Sequence, residues 1–481
     1  MMRSLYSGVS GLKNHQTRMD VVGNNISNVN TTGFKSSRVT FSDTLSQTLS
    51  GASAPTENRG GTNPKQIGLG SATSAIDTLF TDGSVQSTGV NTDLCLSGNG
   101  LFIVKDGNLS YYTRNGNFKF DKEGYYVNSD GLKVQGWSAT TPGDAINTNG
   151  QPSEICIPAG KTMAASATKV ATFSKNLDAA EPRIASMTAT YDDGTTGAIP
   201  ASTATAVEVG KAFGGKVVSS LTLKMTDGTT TTETSGAFKL NNSKPKTTIA
   251  TIYDSLGNAH NVTIYMTKTK VDSTNGNEWT ISLDPAGSKT QTITESDGTT
   301  TTVNMTDLKL EFDVNGGLKT GSGTATLTLT NGAGDNQSVN LTFDDVTQYA
   351  GSSTAFATTD GNAAGTLKSV SIDSAGVITG TYTNGLNVQE AQVAIAQFNN
   401  ASGLTKTGNS LYTESNNSGT PNIGTISDLG CTVTPSSLEM SNVDMASELT
   451  DMIVTQRGYQ SNSKIITVSD ELLETLINMK R

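Results

Sequence analysis

Two stretches at opposite ends of the chain share one spacing of apolar positions. Near the start, Leu5, Val9, Leu12, Gln16, Met19, Gly23 and Ile26 alternate four and three residues apart. That is the heptad seam of a helix that packs on another helix, although Gln16 and Gly23 are poor members of it. Near the end, Met445, Leu449, Met452, Gln456, Tyr459, Ser463, Ile466, Asp470, Leu473 and Ile477 repeat the spacing, and Ile465, Leu472 and Leu476 widen the stripe on one side. So wide a face predicts burial against more than one partner. Ser441 or Asn442 can cap this second helix, with Asp444 and Glu448 near its first turns.

Between the ends the period changes from helical to two. "TTIATIYDSLGNAHNVTIYM" (247–266) predicts two strands joined by a turn around Gly257-Asn258. "GTATLTLT" (323–330) and "QSVNLTF" (337–343) alternate about a turn at Asn331-Gly332. Asp-Gly pairs begin at Asp82, Asp106, Asp130, Asp193, Asp227, Asp297 and Asp360, each a candidate hairpin turn because both residues tolerate positive φ. The run "GLFIVKDGNLSYYTRNGNFKFDKEGYYVNSDGLKVQGW" (100–137) predicts short strands with a turn about every eight to twelve residues, as in an all-β domain.

Composition marks the boundaries. Residues 42–75 are rich in Ser, Gly, Thr and Asn and read as a linker or extended arm. From about 148 to 345 small polar residues dominate, and apolar β patterning returns afterwards in "VQEAQVAIAQF" (388–398). The predicted fold is therefore a mainly β, multi-domain chain with terminal α-helical coiled coil, laid out so that it goes out through its domains and comes back. The expected divisions are a helical domain of 1–30 with 437–481, a linker or arm of 31–75, a first β domain of 76–147 with 346–436, and an inserted outer β domain of 148–345, as one domain or two.

Charge supports pairing of the two ends. Residues 1–50 hold five basic and two acidic groups, whereas 436–481 hold four basic and seven acidic. The whole chain carries a net charge of −10, and nothing in it resembles the clustered Lys and Arg of a nucleic-acid site. Cys95, Cys156 and Cys431 form no C-x-x-C pair, and the two histidines, His15 and His260, stand alone. A zinc site, a disulfide framework and most catalytic triads are thereby disfavoured. "YDDG" (191–194) and "FDDV" (343–346) lack the spacing of a calcium loop, and the Gly-rich "GSGTATLTLT" (321–330) lacks the Lys-Ser or Lys-Thr of a phosphate loop. No cofactor, metal or catalytic set is expected; the pattern argues for assembly. No run approaches the roughly 18 apolar residues of a membrane helix, so no membrane insertion is expected. The start, "MMRSLYSGVSGLKNHQ", has no apolar core of a cleaved signal, for which a cytoplasmic address is the default.

Three motif groups carry a resemblance. "GLKNHQTRMDVVGNNISNVNTTGFKSSRVTFSD" (11–43), "LSGNGLFIVKDG…YYTRNGNFKFDKEGYYVNSDGLKVQGW" (96–137) and "SLEMSNVDMASELTDMIVTQRGYQSNSKIITVSDELLETLINMKR" (437–481) are similar to the signatures of the bacterial flagellar axial proteins, the rod, hook and hook-associated family. The segment "QYAGSSTAFATTDGNAAGTLKSVSIDSAGVITGTYTNG" (348–385) and the length of the β insertion resemble the hook members in particular. The resemblance is strong over about half the chain. In the inserted middle only "TIYDSLGNAHNVTIY" (251–265) shares it.

The resemblance implies a non-enzymatic structural subunit that polymerises with itself beneath a hook cap into a short curved tube, a universal joint passing torque from rod to filament. It implies export through the flagellar type III apparatus without a cleaved signal. The location is then extracellular, in place of the cytoplasmic default, and the hook's neighbours are the rod and hook–filament junction proteins. It places Leu5, Val9, Leu12, Met19, Ile26, Leu449, Met452, Tyr459, Ile466, Leu473 and Ile477 in subunit packing along the inner wall. "TTGFK" becomes the exit from the tube, with Gly33 permitting the turn, Phe34 anchoring it and Lys35 staying polar. Some spirochaete relatives are cross-linked between subunits through Cys and Lys, which offers Cys95 or Cys156; "DLCLSG" nevertheless alternates as a core strand. The rival within the family is a distal rod or hook–filament junction protein. A secreted β-rich adhesin is the remoter alternative.

Overall fold

The computed structural model describes residues 2–479 apart from 56, 58, 142, 273, 296–297, 320–322 and 331–335. The chain forms two units: Met1–Lys161 with Leu367–Arg481, and Thr162–Thr366. It is mostly β, with one long helix at each end of the first unit: α1, Met2–Ser27, and α2, Met445–Asn478.

In the first unit α1 is followed by strand Ser37–Asp43, which pairs antiparallel with Ser71–Thr78. Between them Ser46–Ser50 and Lys65–Gly68 form a hairpin arm whose strand residues are all exposed. The body of the unit is a sheet running through Gly100–Asp106. This strand pairs with Leu109–Thr113 and Ile395–Gln397 and, towards its end, with Lys133–Ser138. It is apolar on both faces for a reason: Phe102 and Val104 enter one core with Leu94, Phe118, Tyr126 and Val134, while Leu101 and Ile103 enter another with Tyr112, Trp137 and Phe398. Successive side chains point to opposite sides of a strand, so burial on both sides removes the usual alternation.

The second unit holds two cores. One gathers Ile184, Met187, Val218, Leu221, Leu223 and Phe238. The other gathers Phe173, Ile252, Ile264, Trp279, Leu310, Leu341 and Phe343, with the Phe173 and Phe343 rings stacked at 4.2 Å. The hairpin Lys246–Tyr253 with Ala259–Lys270 turns through Gly257-Asn258 as the alternation predicts.

Both unit boundaries lie further along the chain than the composition suggests. Residues 148–161 look like insertion but Ile155 and Ile157 are buried in the first unit. Residues 346–366 look like return segment, yet Val346 is buried in the second unit and Phe356–Thr359 pairs with Val170–Asn176. Apolar anchors, not average polarity, decide where each segment belongs.

Asp-Gly pairs at Asp106, Asp130, Asp193 and Asp227 sit in turns between strands. Those at Asp82 and Asp360 do not close hairpins. The Asp360 carboxylate instead accepts from the backbone N–H groups of Lys169 and Val170. The turns expected at Asp297 and at Asn331-Gly332 lie outside the described residues.

Candidate assembly interface

The two terminal helices pack together and run antiparallel. Gly8 and Gly11 face Asn462 and Ile466, and Gly458 faces His15. Arg18 Nη2 stands 2.9 Å from Asp451 Oδ2, and Asn25 Nδ2 donates to Glu448 Oε1 at 2.9 Å. The contact is therefore largely small and polar, with Ile466 its apolar member and Thr455 and Ser469 buried on α2. A Cβ on Gly11 would stand 2.8 Å from the Asn462 side chain, and one on Gly458 2.6 Å from the His15 ring. Small residues let the two backbones approach. Burial raises the Glu448 carboxyl above its usual range, against the hydrogen bond from Asn25.

On α1 this contact follows the row beside the predicted seam; on α2 it combines that neighbouring row with part of the predicted one, Ile466 included. Leu5, Leu12, Met19, Ile26, Met452, Ile466 and Leu473 are half-buried, whereas Val9, Leu449, Tyr459 and Ile477 are exposed. Exposure extends to Ile453, Val454, Ile465, Val468, Leu472 and Leu476. α2 thus turns Thr455, Gly458, Asn462 and Ile466 to α1 and leaves Ile453, Val454, Val468, Leu472 and Leu476 uncovered. Exposed apolar side chains grouped on one helix are a candidate interaction surface. The helix begins later than the sequence suggests, because its N-cap is Asp444, whose carboxylate accepts from Ala446 and Ser447 N–H. Asn442, one of the two expected caps, does other work: its Oδ1 accepts from Ser36 N at 2.8 Å and its Nδ2 donates to Leu79 O at 2.9 Å.

The Asn-rich run is the root of α1. Asn24 is exposed, but Asn25 is buried and satisfied on both sides. Its amide donates to Ser37 O and Glu448 Oε1, and its oxygen accepts from Ser37 N at 3.0 Å. One side chain joins the end of α1, the first strand and the first turns of α2. No helix periodicity marks this residue out.

The segment after α1 bends at Gly33, with φ +66. Gly33 N donates to Glu439 O at 2.8 Å, and a Cβ there would meet Asn115 N at 2.5 Å. Phe34 lies under the Lys406 ammonium, 5.0 Å from the ring centroid. Lys35, expected only to stay polar, is fully buried and paired. Its Nζ donates to Glu439 Oε1 at 2.6 Å and Thr81 O at 2.7 Å. Burial pulls the Lys35 amine below the ordinary lysine range, against the opposing charge of Glu439. Glu439 Oε1 also accepts from Gly83 N at 2.9 Å, and its Oε2 stands 3.4 Å from Arg114 Nη1. Arg114 is itself buried, donating to Leu96 O at 3.0 Å, to Asp82 Oδ1 at 3.3 Å and to Gly98 O. Sequence reasoning missed Arg114 and Glu439. The signal available was a single charge inside an apolar strand neighbourhood, in "YYTRNGNF" and in "SLEM".

Of the two cysteines considered for linkage, Cys95 is buried in the strand Leu94–Ser97 and Cys156 is exposed. Burial, then the nearby Glu439, push the Cys95 thiol up to about 11. Among the described residues no group of three His, Cys, Asp or Glu side chains is placed to hold a metal ion, and no helix is long and apolar enough to cross a membrane. His260 is buried in unit two with its Nδ1 2.8 Å from Glu295 Oε1.

Family models match along most of this architecture. They are the flagella basal body rod protein at residues 5–35, the flagellar hook protein FlgE/F/G D1 domain at 95–172, the flagellar basal body protein FlaE D2 domain at 222–362, and the flagellar basal body rod FlgEFG protein C-terminal at 434–479. The chain is 39% identical over 504 residues to the flagellar hook protein FlgE of Borreliella burgdorferi, covering all of both chains. It is 37% identical over 520 residues to that of Treponema pallidum, again covering all of both. The flagellar basal-body rod protein FlgG of Bacillus subtilis is 48% identical, but over only 37% of this chain and 69% of its own. Ends like those of a rod protein, joined to full-length likeness with hook proteins, leave one assignment: the chain belongs to the flagellar hook protein FlgE family, whose members are structural subunits of the hook.

Proposed function

We propose that this chain polymerises with itself into the curved, flexible tube that couples rod to filament, and that α1 and α2 make its packing surface. The observation that carries this reading is the exposed apolar face of α2 formed by Val454, Ile465, Val468, Leu472 and Leu476, with Leu449 and Ile453 exposed nearby, beside a helix-to-helix contact built largely from small and polar groups. Apolar area left in water by one subunit is available to drive association with the next. In that assembly Leu5, Val9, Leu12, Met19 and Ile26 of α1 complete the surface with Leu449, Met452, Tyr459, Ile466, Leu473 and Ile477. The chain travels unfolded through the flagellar export apparatus, assembles outside the cell under a hook cap, and meets rod and junction proteins at the ends of the tube. The subunit does mechanical work and no covalent chemistry. The many exposed Thr and Asn of the second unit give neighbouring subunits contacts that exchange with water at low cost, suited to sliding.

The test is the pair of variants Leu472→Asp and Ile453→Asp in the full chain, followed by sedimentation and electron microscopy. Folded monomers that form no tubes support the reading. Tubes formed as by the wild type overturn it, and a straight tube from the wild-type chain favours a rod.

A further inference from the structure

The roots of both helices meet at one buried charge cluster. Lys35 lies just after α1, and Glu439 just before α2. Both side chains are sealed from water, as is Arg114, while Asp82 lies at the rim with its side chain 41% exposed. One carboxylate, that of Glu439, serves two buried cations. Each carboxylate oxygen has its own cation: Oε1 takes Lys35 and Oε2 takes Arg114. The backbone of the same residue fixes the bend, because Glu439 O accepts from Gly33 N where no side chain fits. Asn442 adds a second tie to Ser36.

We propose that Lys35, Arg114 and Glu439 form a latch that holds the Gly33–Ser37 bend and so aims α1 at α2, with Glu439 as the shared counter-ion that closes it. The latch rests on the reading of the helix pair as the assembly surface. Before the return strand Ser437–Glu439 is in place, Lys35 lacks its carboxylate and Arg114 keeps only rim-exposed Asp82 among the described carboxylates that touch them, so both cannot be buried with their charges balanced. A buried cation without a partner is strongly unfavourable. The bend therefore stays open until the C-terminal segment docks. The four charges sum to zero. Removing Glu439 alone leaves an excess positive charge in the buried site. Loss of Lys35 alone leaves Glu439 held by Arg114 and the Gly83 N–H, with the excess negative charge shared by rim-exposed Asp82. Losing both restores neutrality.

The experiment compares wild type, E439Q, K35M and K35M/E439Q as full chains. It measures hydrogen exchange of peptides covering 33–37 and 79–84, with 247–266 of the second unit as an internal control, and then tube formation. E439Q is expected to exchange faster at 33–37 by roughly tenfold or more, and to form tubes poorly. K35M should show a smaller change, and the double variant should be better protected than E439Q. This rescue separates a shared counter-ion from a side chain that only fills space. Exchange in E439Q equal to wild type overturns the latch, as does a double variant worse than E439Q. The two readings fail separately. Normal tubes from Leu472→Asp overturn the assembly surface; normal tubes from an E439Q chain with an opened bend overturn the latch.

Discussion

Cys156 and Cys95 show how little a residue type says without its surroundings. The Cys156 thiol is exposed, whereas Cys95 lies in the core with its thiol pushed up to about 11 by burial. The thiolate is the reactive form. In native protein a maleimide should label Cys156 and leave Cys95 and the buried Cys431 intact even at mildly alkaline pH; after denaturation all three should label. Peptide mass spectrometry reads this, and native labelling of Cys95 would contradict the burial. Gly33 is demanding in another way, because a Cβ would strike the backbone of Arg114 and Asn115 at a φ of +66. Gly33→Ala should cost at least about 1–3 kcal/mol from backbone strain alone, seen as a lower midpoint in denaturant for the first unit; an unchanged midpoint would show that the bend can relax. A turn-permitting role for Gly33 is readable from "TTGFK". The burial of Lys35 is not, because a lysine after a turn is ordinarily solvated and its partner Glu439 stands at the far end of the chain.

The terminal helices were legible as elements, since a 3.6-residue apolar period needs no tertiary information. Which face each helix gives to its partner was not legible. A heptad reading assigns the apolar row to the intramolecular seam, and here that seam is mainly Gly8, Gly11, Gly458, Thr455 and Asn462, one step round the helix, with Ile466 the member of the predicted row that joins it. Periodicity cannot distinguish a row buried by the same chain from one kept for another copy. Helix strength is a separate matter. Gly23 lies inside α1 and a Cβ there would meet nothing within 4 Å, so Gly23→Ala has a helix-propensity gain of about 1 kcal/mol with no clash against it. The variant should show more helical circular dichroism and slower exchange along α1. If marginal helicity holds assembly back until neighbours arrive, it should also polymerise at a lower protein concentration. Reduced helicity would refute the propensity argument. Greater helicity with an unchanged critical concentration would refute its link to assembly.

At the scale of the molecule, the out-and-back course was legible because like patterns recur at the two ends, whereas the boundaries of the insertion were misread by composition. Ile155 and Ile157 anchor a polar-looking stretch to the first unit, and Val346 anchors an apolar-looking return to the second. A boundary is set by which core receives a few apolar side chains, and averages over a window dilute that signal. The corrected division makes a direct prediction. The unit Thr162–Thr366 contains both ends of its sheet pairings, including Val170–Asn176 beside Gln337–Thr347 and Phe356–Thr359. Its cores are its own, so a fragment of residues 162–366 should fold alone and stay monomeric, lacking both helices. The narrower fragment 148–345 loses Phe356–Thr359 and should be less stable. Each contains a single tryptophan, Trp279, whose side chain is fully buried. Native emission from 162–366 should be that of a ring out of water, moving to the solvent-exposed position in one cooperative transition. For 148–345 the same shift should occur at lower denaturant. Equal midpoints would show that the strand at 356–359 contributes nothing, and solvent-exposed emission from 162–366 under native conditions would show that the second unit depends on the first for its fold.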